Sequence, residues 1–587
     1  MHIFMQNNSI HSEELLIMNT NRPTRKEIFE LMAAGCLLGI LCFGMVYGFK
    51  ILDFTYDAWL FHGDMDLQQH YIGFCHFRNT PWHFPVGLVD SLSAPYSMSI
   101  VYTDSIPLFA VIFKIFSAVL PVHFQYFGLF GILSFALMGM LSTVLIRRFT
   151  ERKAVCIAGS LFFILSFPVL QRMFYHTALS AQWIIVLALI VWFYNDITDK
   201  KQTKKLCIYW GLIGLLAVSI HSYFVFMTGI VLLAAVIEGI IRCRKDTKSD
   251  MKVDNKTVKK RIFAIVLPLI SMGISSFILL FILGGFYGSG SVSGDGFGSF
   301  NGNLSSYINP LGYGRIFGGF GLNGMFEFEG FGYLGAGILL LLASAIAAAV
   351  IKSKGETGDS LNIFRRLTLR KKVIIATTVF TLIFACFPNY SFGTIKILGI
   401  PVPSVIQKVF GICRTNGRFV WVGMYLIMIC AVYFAAKNYD RLFVRIIFAA
   451  AVIIQIYDVS ATVKQYQSKY ERDMAYTSEW EEIEASGILE NKTQFVFMYN
   501  DSEMMMDTAY YAYLHDMNQN SFYYARTIYD EIDENIAYWK DCIEKGEVRE
   551  DTVYVFRDED FTDDYEEAVS LANATKTDMD GLVVITR

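Results

Sequence analysis

"SIPLFAVIFKIFSAVLP", residues 105–121, is apolar enough to cross a membrane, and its reading decides the topology of the whole chain. If it spans, the basic loop 147–153 falls outside, and every later basic loop flips with it. If it lies flat on the outer surface, the basic clusters 22–26, 147–153, 200–205, 242–261, 352–372 and 437–445 share the cytoplasmic side. Together they hold 30 of the 40 bases before residue 466. The positive-inside rule therefore favours a surface helix over residues 106–120. Lys114 in the middle of the run and Pro107 near its start favour the same reading.

The sequence around this run is 54% hydrophobic, with mean hydropathy +0.41, too apolar for a soluble enzyme of 587 residues. Apolar runs at 28–49, 124–146, 154–170, 177–195, 206–220, 222–241, 262–285, 331–351, 373–388, 419–436 and 442–457 read as spans. The first lacks a cleavage-type ending and reads as a retained span. The expected fold is mainly α: a polytopic membrane protein with about 11 transmembrane helices and a small C-terminal extracytoplasmic α/β domain. The N-terminal segment 1–27 is expected in the cytoplasm. Residues 28–457 form the transmembrane domain, with long external loops at 50–123 and 286–330.

Residues 458–587 form the soluble tail. Charge supports the division, because residues 466–587 carry 29 acids against 10 bases, leaving 24 acids and 40 bases before them. In the tail, 493–499, 521–526, 552–558 and 581–587 read as strands, and 479–489, 527–545 and 563–573 as helices. Its acidic surface reads as a solvated face. The glycine-rich loop 286–330 reads as a mobile flap, with a disordered spacer equally compatible with its composition. Ten scattered cysteines show neither a disulfide framework nor metal-ligand spacing.

The first external loop concentrates chemistry. It holds Asp53, Asp57, Asp64, Asp66, Asp90 and Asp104 with five histidines, against Lys50, Arg78 and Lys114. A carboxylate there can act as a general base or hold a divalent cation such as Mg2+ or Mn2+. Asp64 and Asp66 could share one, with His70 and His76 adding nitrogen ligands. An ordinary hydrogen-bonded polar loop has the same composition. Arg414 and Arg418 share a face if both are helical, at the outer start of a span where an anion is favoured. Their forks suit a phosphate, or lipid headgroups to which they snorkel. Glu327 and Glu329 close the glycine loop, Glu327 reading as an interfacial cap and Glu329 as facing the acidic loop. His176 and His221 read as satisfied interfacial histidines.

The layout of a first span, a long acidic external loop, an interfacial helix opening with proline and a span ending in Arg-Arg resembles the GT-C superfamily of integral-membrane glycosyltransferases. The motifs "GDMDLQQHYIGFCHFRNTPWHFP" (63–85), "SIVYTDSIPLFAVIFK" (99–114), "HTALSAQW" (176–183), "EGFGYLG" (329–335) and "RTNGRFVW" (414–421) resemble a bacterial multi-pass family placed beside those enzymes. "NSFYYART" (520–527) and "GEVREDTVYVF" (546–556) extend the resemblance into the tail.

The resemblance implies a polyprenyl-phosphate-linked sugar as donor and a glycan, lipid or protein acceptor at the outer face. Membrane lipid is a further partner, and no nucleic acid is expected. It implies Asp64 as catalytic base and Asp104 as a second loop acid. Members of that family commonly carry a small residue or proline where this chain has Met65–Asp66, which singles out Asp64 over Asp66. On this reading Arg418 and Arg414 stabilise the leaving phosphate, Glu329 orients substrate or a cation, and His70 and Trp82 line the sugar site. No cofactor is required beyond a possible divalent cation. A lipid or polysaccharide transporter would place ionisable groups near mid-membrane, whereas most acids before the tail lie in loops and only Glu238 sits deep in a run, near its inner end. A non-catalytic envelope scaffold is the remaining alternative.

Overall fold

A computed structural model describes residues 23–249, 254–287, 297–356, 367–499, 503–526, 528–579 and 581–587. Most of the predicted segment 1–27, and parts of the glycine loop and of two basic loops, lie outside the described residues. A helix stands at each of the eleven predicted spans: α1 Arg25–Tyr47, α4 Phe127–Arg147, α5 Lys153–Ile164, α6 Trp183–Tyr194, α7 Thr203–Ile220, α8 Tyr223–Ser249, α9 Asn255–Ile282, α10 Ala336–Glu356, α11 Leu369–Cys386, α12 Val420–Lys437 and α13 Leu442–Tyr470. Among the described residues, eight of these segments are long and apolar enough to cross a membrane. The other three fall short for local reasons. α5 stops at Ile164 and the chain restarts as a separate turn at Phe167–Arg172; the apolar part of α10 is short; and α11 opens with Arg370, Lys371 and Lys372. α13 continues to Tyr470, well past the predicted end at 457.

The run 105–121 does not form one long helix. Its helix, α3 Pro107–Ile115, has nine residues, about 14 Å of rise against a hydrocarbon core of ~30 Å. A 3₁₀ turn follows at Ser117–Val119. Arg78 ends this segment by donating to the carbonyls of Ser117, Leu120, Pro121 and Val122. Lys114 is buried, with its ammonium 3.9 Å from the Phe77 ring centroid and 4.5 Å from that of Trp82. Apolar side chains Ile112, Ile115, Phe116 and Val119 face outward.

Helix pairing inside the bundle rests on small residues, because lipid offers no hydrophobic gain for helix association. α1 starts with a side-chain N-cap: the Thr24 hydroxyl accepts from the Glu27 amide at 3.1 Å. Glu27 itself takes a two-pronged bond from Arg147 of α4 at 2.6 and 3.1 Å. One turn and more along, Gly35 and Gly39 lie directly against α4. A Cβ on Gly39 would sit 2.2 Å from the Phe135 carbonyl oxygen. α7 and α9 approach similarly, with Ser271 donating to Cys207 O at 2.8 Å and Ser275 to Gly211 O at 2.9 Å. Glu238, deep in α8, is neutralised by Arg242 and Arg370 and accepts from the Trp192 indole.

The tail is a three-layer α/β unit. After the two-stranded hairpins β1 Leu88–Ser93 with β2 Tyr96–Ser99 and β3 Asn389–Phe392 with β4 Ile395–Gly399, the mixed sheet of the tail runs β6-β5-β7-β9-β8, with β5 Gln494–Phe497, β6 Asn518–Gln519, β7 Thr552–Arg557, β8 Thr575–Met579 and β9 Leu582–Thr586. Both faces are buried: Val553 and Val555 pack under helix α14 Glu503–Leu514, and Tyr554 and Phe556 under α15 Tyr529–Glu544 and α16 Asp563–Leu571. The predicted strand 521–526 is absent. Those residues form a strap that leaves the sheet and hydrogen-bonds to the membrane domain instead. The opposite face of α14 docks on the first loop through helix α2 Met65–Asn79. There Tyr510 and Tyr71 both donate to the buried Asp57 carboxylate, at 2.6 and 2.8 Å, and His76 Nε2–H donates to Ala509 O at 2.7 Å.

Two stability outcomes follow. Gly39→Val forces α1 away from α4 and should cost about 2 kcal/mol or more, read as a lower unfolding temperature in detergent. Leu37→Val, facing outward on the same helix, should leave it unchanged. Burial pushes the Lys114 ammonium from 10.5 down to about 8. The unfolded chain therefore binds the extra proton between those values, and stability gains as pH rises through that window. Lys114→Met should remove this gain from a pH series of melting curves.

Candidate functional site

Helix α2 carries the first half of the site. Asp66, His70 and Gly73 recur at i, i+4 and i+7 and so share one face. Gly73 lets the turn 103–105 come into contact; a Cβ there would lie 2.4 Å from Thr103. The Ser105 hydroxyl donates to His70 O at 2.6 Å and locks the two segments together. Asp104 (φ 51°) and Ile106 (φ 53°) both adopt the left-handed region, which costs a non-glycine residue energy and concentrates at functional sites. The turn aims the Asp104 carboxylate at the histidines.

Those histidines come from the ends of other helices. His176 Nε2 meets Asp66 Oδ2 at 2.9 Å, and His221 Nε2 meets Asp104 Oδ1 at 3.4 Å. The Tyr223 amide donates to His221 Nδ1 at 3.2 Å, so the proton of neutral His221 sits on Nε2 and points at Asp104. His70 is fully buried, and among the described residues neither of its ring nitrogens has a hydrogen-bond partner; the same holds for His176 Nδ1. One ligand atom each from His70, Asp104 and His176 lies within 4.8 Å of the others. Buried imidazole nitrogens without partners are costly, and a cation between these three groups would satisfy them.

The donor set of two imidazoles and a carboxylate suits Mn2+ or Zn2+ better than Mg2+, which prefers all-oxygen surroundings. Burial pushes the His70 imidazole down to about 4, which leaves it neutral with a lone pair free at neutral pH. Burial alone would raise the Asp104 carboxyl. The His221 imidazole beside it reverses the sign and holds it well below the ordinary carboxylate range. Asp66 follows the same pattern, with His176 outweighing burial.

The second half is an ion triad. Glu329, at the end of the glycine loop, accepts from Arg172 through both oxygens, at 3.2 and 2.9 Å, and from Arg418 Nε at 2.7 Å. All three side chains are buried. Burial opposes the Glu329 charge, but the two guanidinium groups hold the carboxyl well below the usual range. Arg418 also lies over the Tyr223 ring, 5.1 Å from its centroid, and no protein acceptor is bonded to its terminal nitrogens among the described residues. The halves adjoin: His176 and Glu329 interact electrostatically, as do Asp104 and Arg418. Tyr175 lies within electrostatic reach of Asp64, Asp66, Arg172 and Glu329, which belong to both halves.

A third element comes from the tail. The strap 520–526 is pinned to the sheet by Asn520, whose side chain accepts from the Phe497 amide at 2.8 Å. It crosses to the site, where Gln69 donates to Tyr523 O at 2.7 Å and the Tyr523 hydroxyl reaches Asp66 Oδ1 at 3.4 Å. The Ala525 amide donates to Tyr102 O at 2.9 Å, and Arg414 donates to Ala525 O at 2.8 Å.

The predicted residues are therefore distributed unevenly. His70, Asp104, Glu329 and Arg418 come together, and Asp66 joins them. Asp64 caps α2 from an exposed position at the rim, and no hydrogen bond or ion pair to its carboxylate occurs among the described residues. Trp82 covers Lys114 at the far end of α2. Arg414 and Arg418 do not share a helical face. The chain there is two 3₁₀ turns broken at Thr415, so Arg418 points inward and Arg414 toward the strap. Glu327 is not a simple cap; it is buried and bonded to Asn303 and Ser391. Asn303 also holds Gly393, which makes the described part of the glycine loop a bonded network and not a free flap. Arg172, Tyr523 and the unpartnered His176 nitrogen were missed. The signal for Arg172 was an arginine beside a long apolar run, in "FPVLQRMF".

Glu329→Leu strands two buried guanidinium groups and should destabilise the protein by about 3–5 kcal/mol, measured by thermal unfolding in detergent. Replacing all three members with apolar residues should recover most of that loss.

Residues 36–460 match the family described as "Domain of unknown function (DUF6311)", and residues 480–587 match the "DUF6311 C-terminal domain". No curated protein matches the sequence. Among solved structures, the apo oligosaccharyltransferase of Archaeoglobus fulgidus aligns with 94% of this chain and 72% of its own, at 11% identity and TM-score 0.46. The same enzyme tethered to an acceptor peptide containing the NVT sequon aligns with 92% of this chain and 71% of its own, at 11% identity and TM-score 0.46. Its complex with an inhibitory peptide and a dolichol-phosphate covers the same shares, at 11% identity and TM-score 0.43. The matched span takes in the helical bundle and both halves of the acid–histidine and arginine site, and the chain belongs to the DUF6311 family.

Proposed function

We propose that this protein is an integral-membrane glycosyltransferase that transfers a sugar from a polyprenyl-phosphate donor to an extracytoplasmic acceptor, with inversion. One observation carries the reading: an acid–histidine cluster with unpartnered nitrogens adjoins a buried arginine pair at the ends of the membrane helices. Such a site can hold phosphate and activate a hydroxyl side by side. The motif resemblance to GT-C enzymes and the one-sided basic loops support the same assignment, with the site and the tail outside and the N-terminus in the cytoplasm.

In this reading the acceptor hydroxyl attacks the anomeric carbon as the bond from that carbon to the phosphate oxygen breaks. Asp64, unpartnered at the rim where an acceptor arrives, takes the hydroxyl proton. Arg418 turns its free terminal nitrogens to the departing polyprenyl phosphate, while Glu329 and Arg172 fix its plane. Asp66 holds His176, His221 orients Asp104, and His70, His176 and Asp104 are the residues that would hold a divalent cation. When bound, that cation would supply Lewis-acid stabilisation of phosphate charge. No nucleotide site is required, because the donor arrives already activated on its lipid.

The test uses purified protein with labelled polyprenyl-phosphate sugars and cell-envelope acceptors. Asp64→Asn, Asp104→Asn and Arg418→Gln should each lower transfer by about 100-fold or more. A chelator should abolish it and added Mn2+ should restore it. Full transfer by Asp64→Asn would remove that residue as base, and no transfer by the unaltered protein across donors and acceptors would sink the reading.

A further inference from the structure

Between α11 and α12 the chain forms a two-stranded hairpin, β3 Asn389–Phe392 paired with β4 Ile395–Gly399, followed by a short helix Ser404–Phe410. Every residue of β4 is exposed, on both faces of the strand. Ile395 is 68% exposed, Ile397 60% and Leu398 51%, and Val405 on the short helix is 73%. A lone two-stranded hairpin is marginal in water, and a contiguous apolar surface of this kind marks a binding face.

Three observations identify what covers it. From residue 387 to 413 the sequence contains no acid and two lysines, Lys396 and Lys408. The apolar surface continues directly from the outward face of α11, where Val379, Phe380 and Ile383 are exposed. The segment is held at the level of the span ends: Phe410 packs on Phe384 and Phe387, and Asn416 donates to Phe384 O at 2.9 Å. The turn end of the hairpin is held to the glycine loop, because Asn303 bonds Ser391 and Gly393.

We propose that this hairpin and helix dip into the membrane leaflet on the side of the site, and that Lys396 and Lys408 bind the phosphates of anionic phospholipids there. The isoleucines and Val405 enter the acyl boundary, while the lysine stems run along it with their ammonium groups at headgroup level. Through Asn303 and Glu327 the same hairpin is tied to the loop that ends in Glu329, so its depth fixes the height of the ion triad above the bilayer. This contact does not depend on the reaction proposed for the site.

The experiment places a photo-crosslinking benzoylphenylalanine at Ile397 or Val405 of the full-length protein, reconstituted in phosphatidylcholine vesicles with or without phosphatidylglycerol. Adducts are identified by mass spectrometry. Phospholipid adducts are expected at both positions, with phosphatidylglycerol preferred. Lys396→Gln and Lys408→Gln should each weaken that preference roughly fivefold. A probe at exposed Leu571 in the tail should give no lipid adduct. Adducts only to a second copy of the chain or to another protein, or no adduct at all, would overturn the proposal. Lipid adducts that ignore headgroup charge would overturn the role of the lysines.

Discussion

Two buried guanidinium groups depend on one carboxylate. Arg172 follows the broken fifth helix, Glu329 ends the glycine loop, and Arg418 lies one turn before α12. The three positions are far apart in sequence, and their charges converge on this carboxylate. A lone guanidinium could not be held there against desolvation, so the three segments must close together or not at all. Most of the layer around the site inherits its position from that closure. The glycine loop is fixed between Glu329 and the Asn303 network, and α12 starts where Arg418 stops. The acid–histidine cluster sits against the triad because His176 comes only four residues after Arg172.

The cluster has its own logic. Each carboxylate is paired with a histidine, and each pairing restricts which nitrogen of that histidine carries a proton. Asp104 faces the N–H of His221 because the Tyr223 amide occupies the other ring nitrogen. Asp66 engages one nitrogen of His176 and leaves the second facing the space near His70. His70 and His176 thereby present unpartnered ring nitrogens beside Asp104, while the two acids stay paired with histidines. This is the arrangement that oriented metal ligands require.

How much of this could be read from the chain alone follows from range. Apolar length is local, so a helix at each of the eleven apolar runs was legible, eight of them in segments long and apolar enough to cross a membrane. The α/β character of the tail was legible from alternation. Pairings across the bundle were not. Arg172 looked like the end of an apolar run, and His176 looked like an ordinary interfacial histidine, because their partners lie in other loops. Local spacing drew Asp64 and Asp66 together as equals. The helix start separates them, making one a rim cap and turning the other inward. "NSFYYAR" has strand composition, yet its aromatic residues serve contacts outside their own sheet. Composition reports that a residue is fit for burial and says nothing of which partner buries it.

The strap 520–526 lies near the end of the chain, yet its Tyr523 stands beside Asp66 in the first loop. A ribosome releases these two residues far apart in time. Until the tail has emerged and its sheet has closed around Asn520, the nascent protein holds its acids and arginines without the backbone that bridges them. A chain truncated before the strap thus keeps its membrane helices but lacks the backbone that reaches Gln69 and the hydroxyl that reaches Asp66, so the acid–histidine cluster is finished only by the last domain to be made.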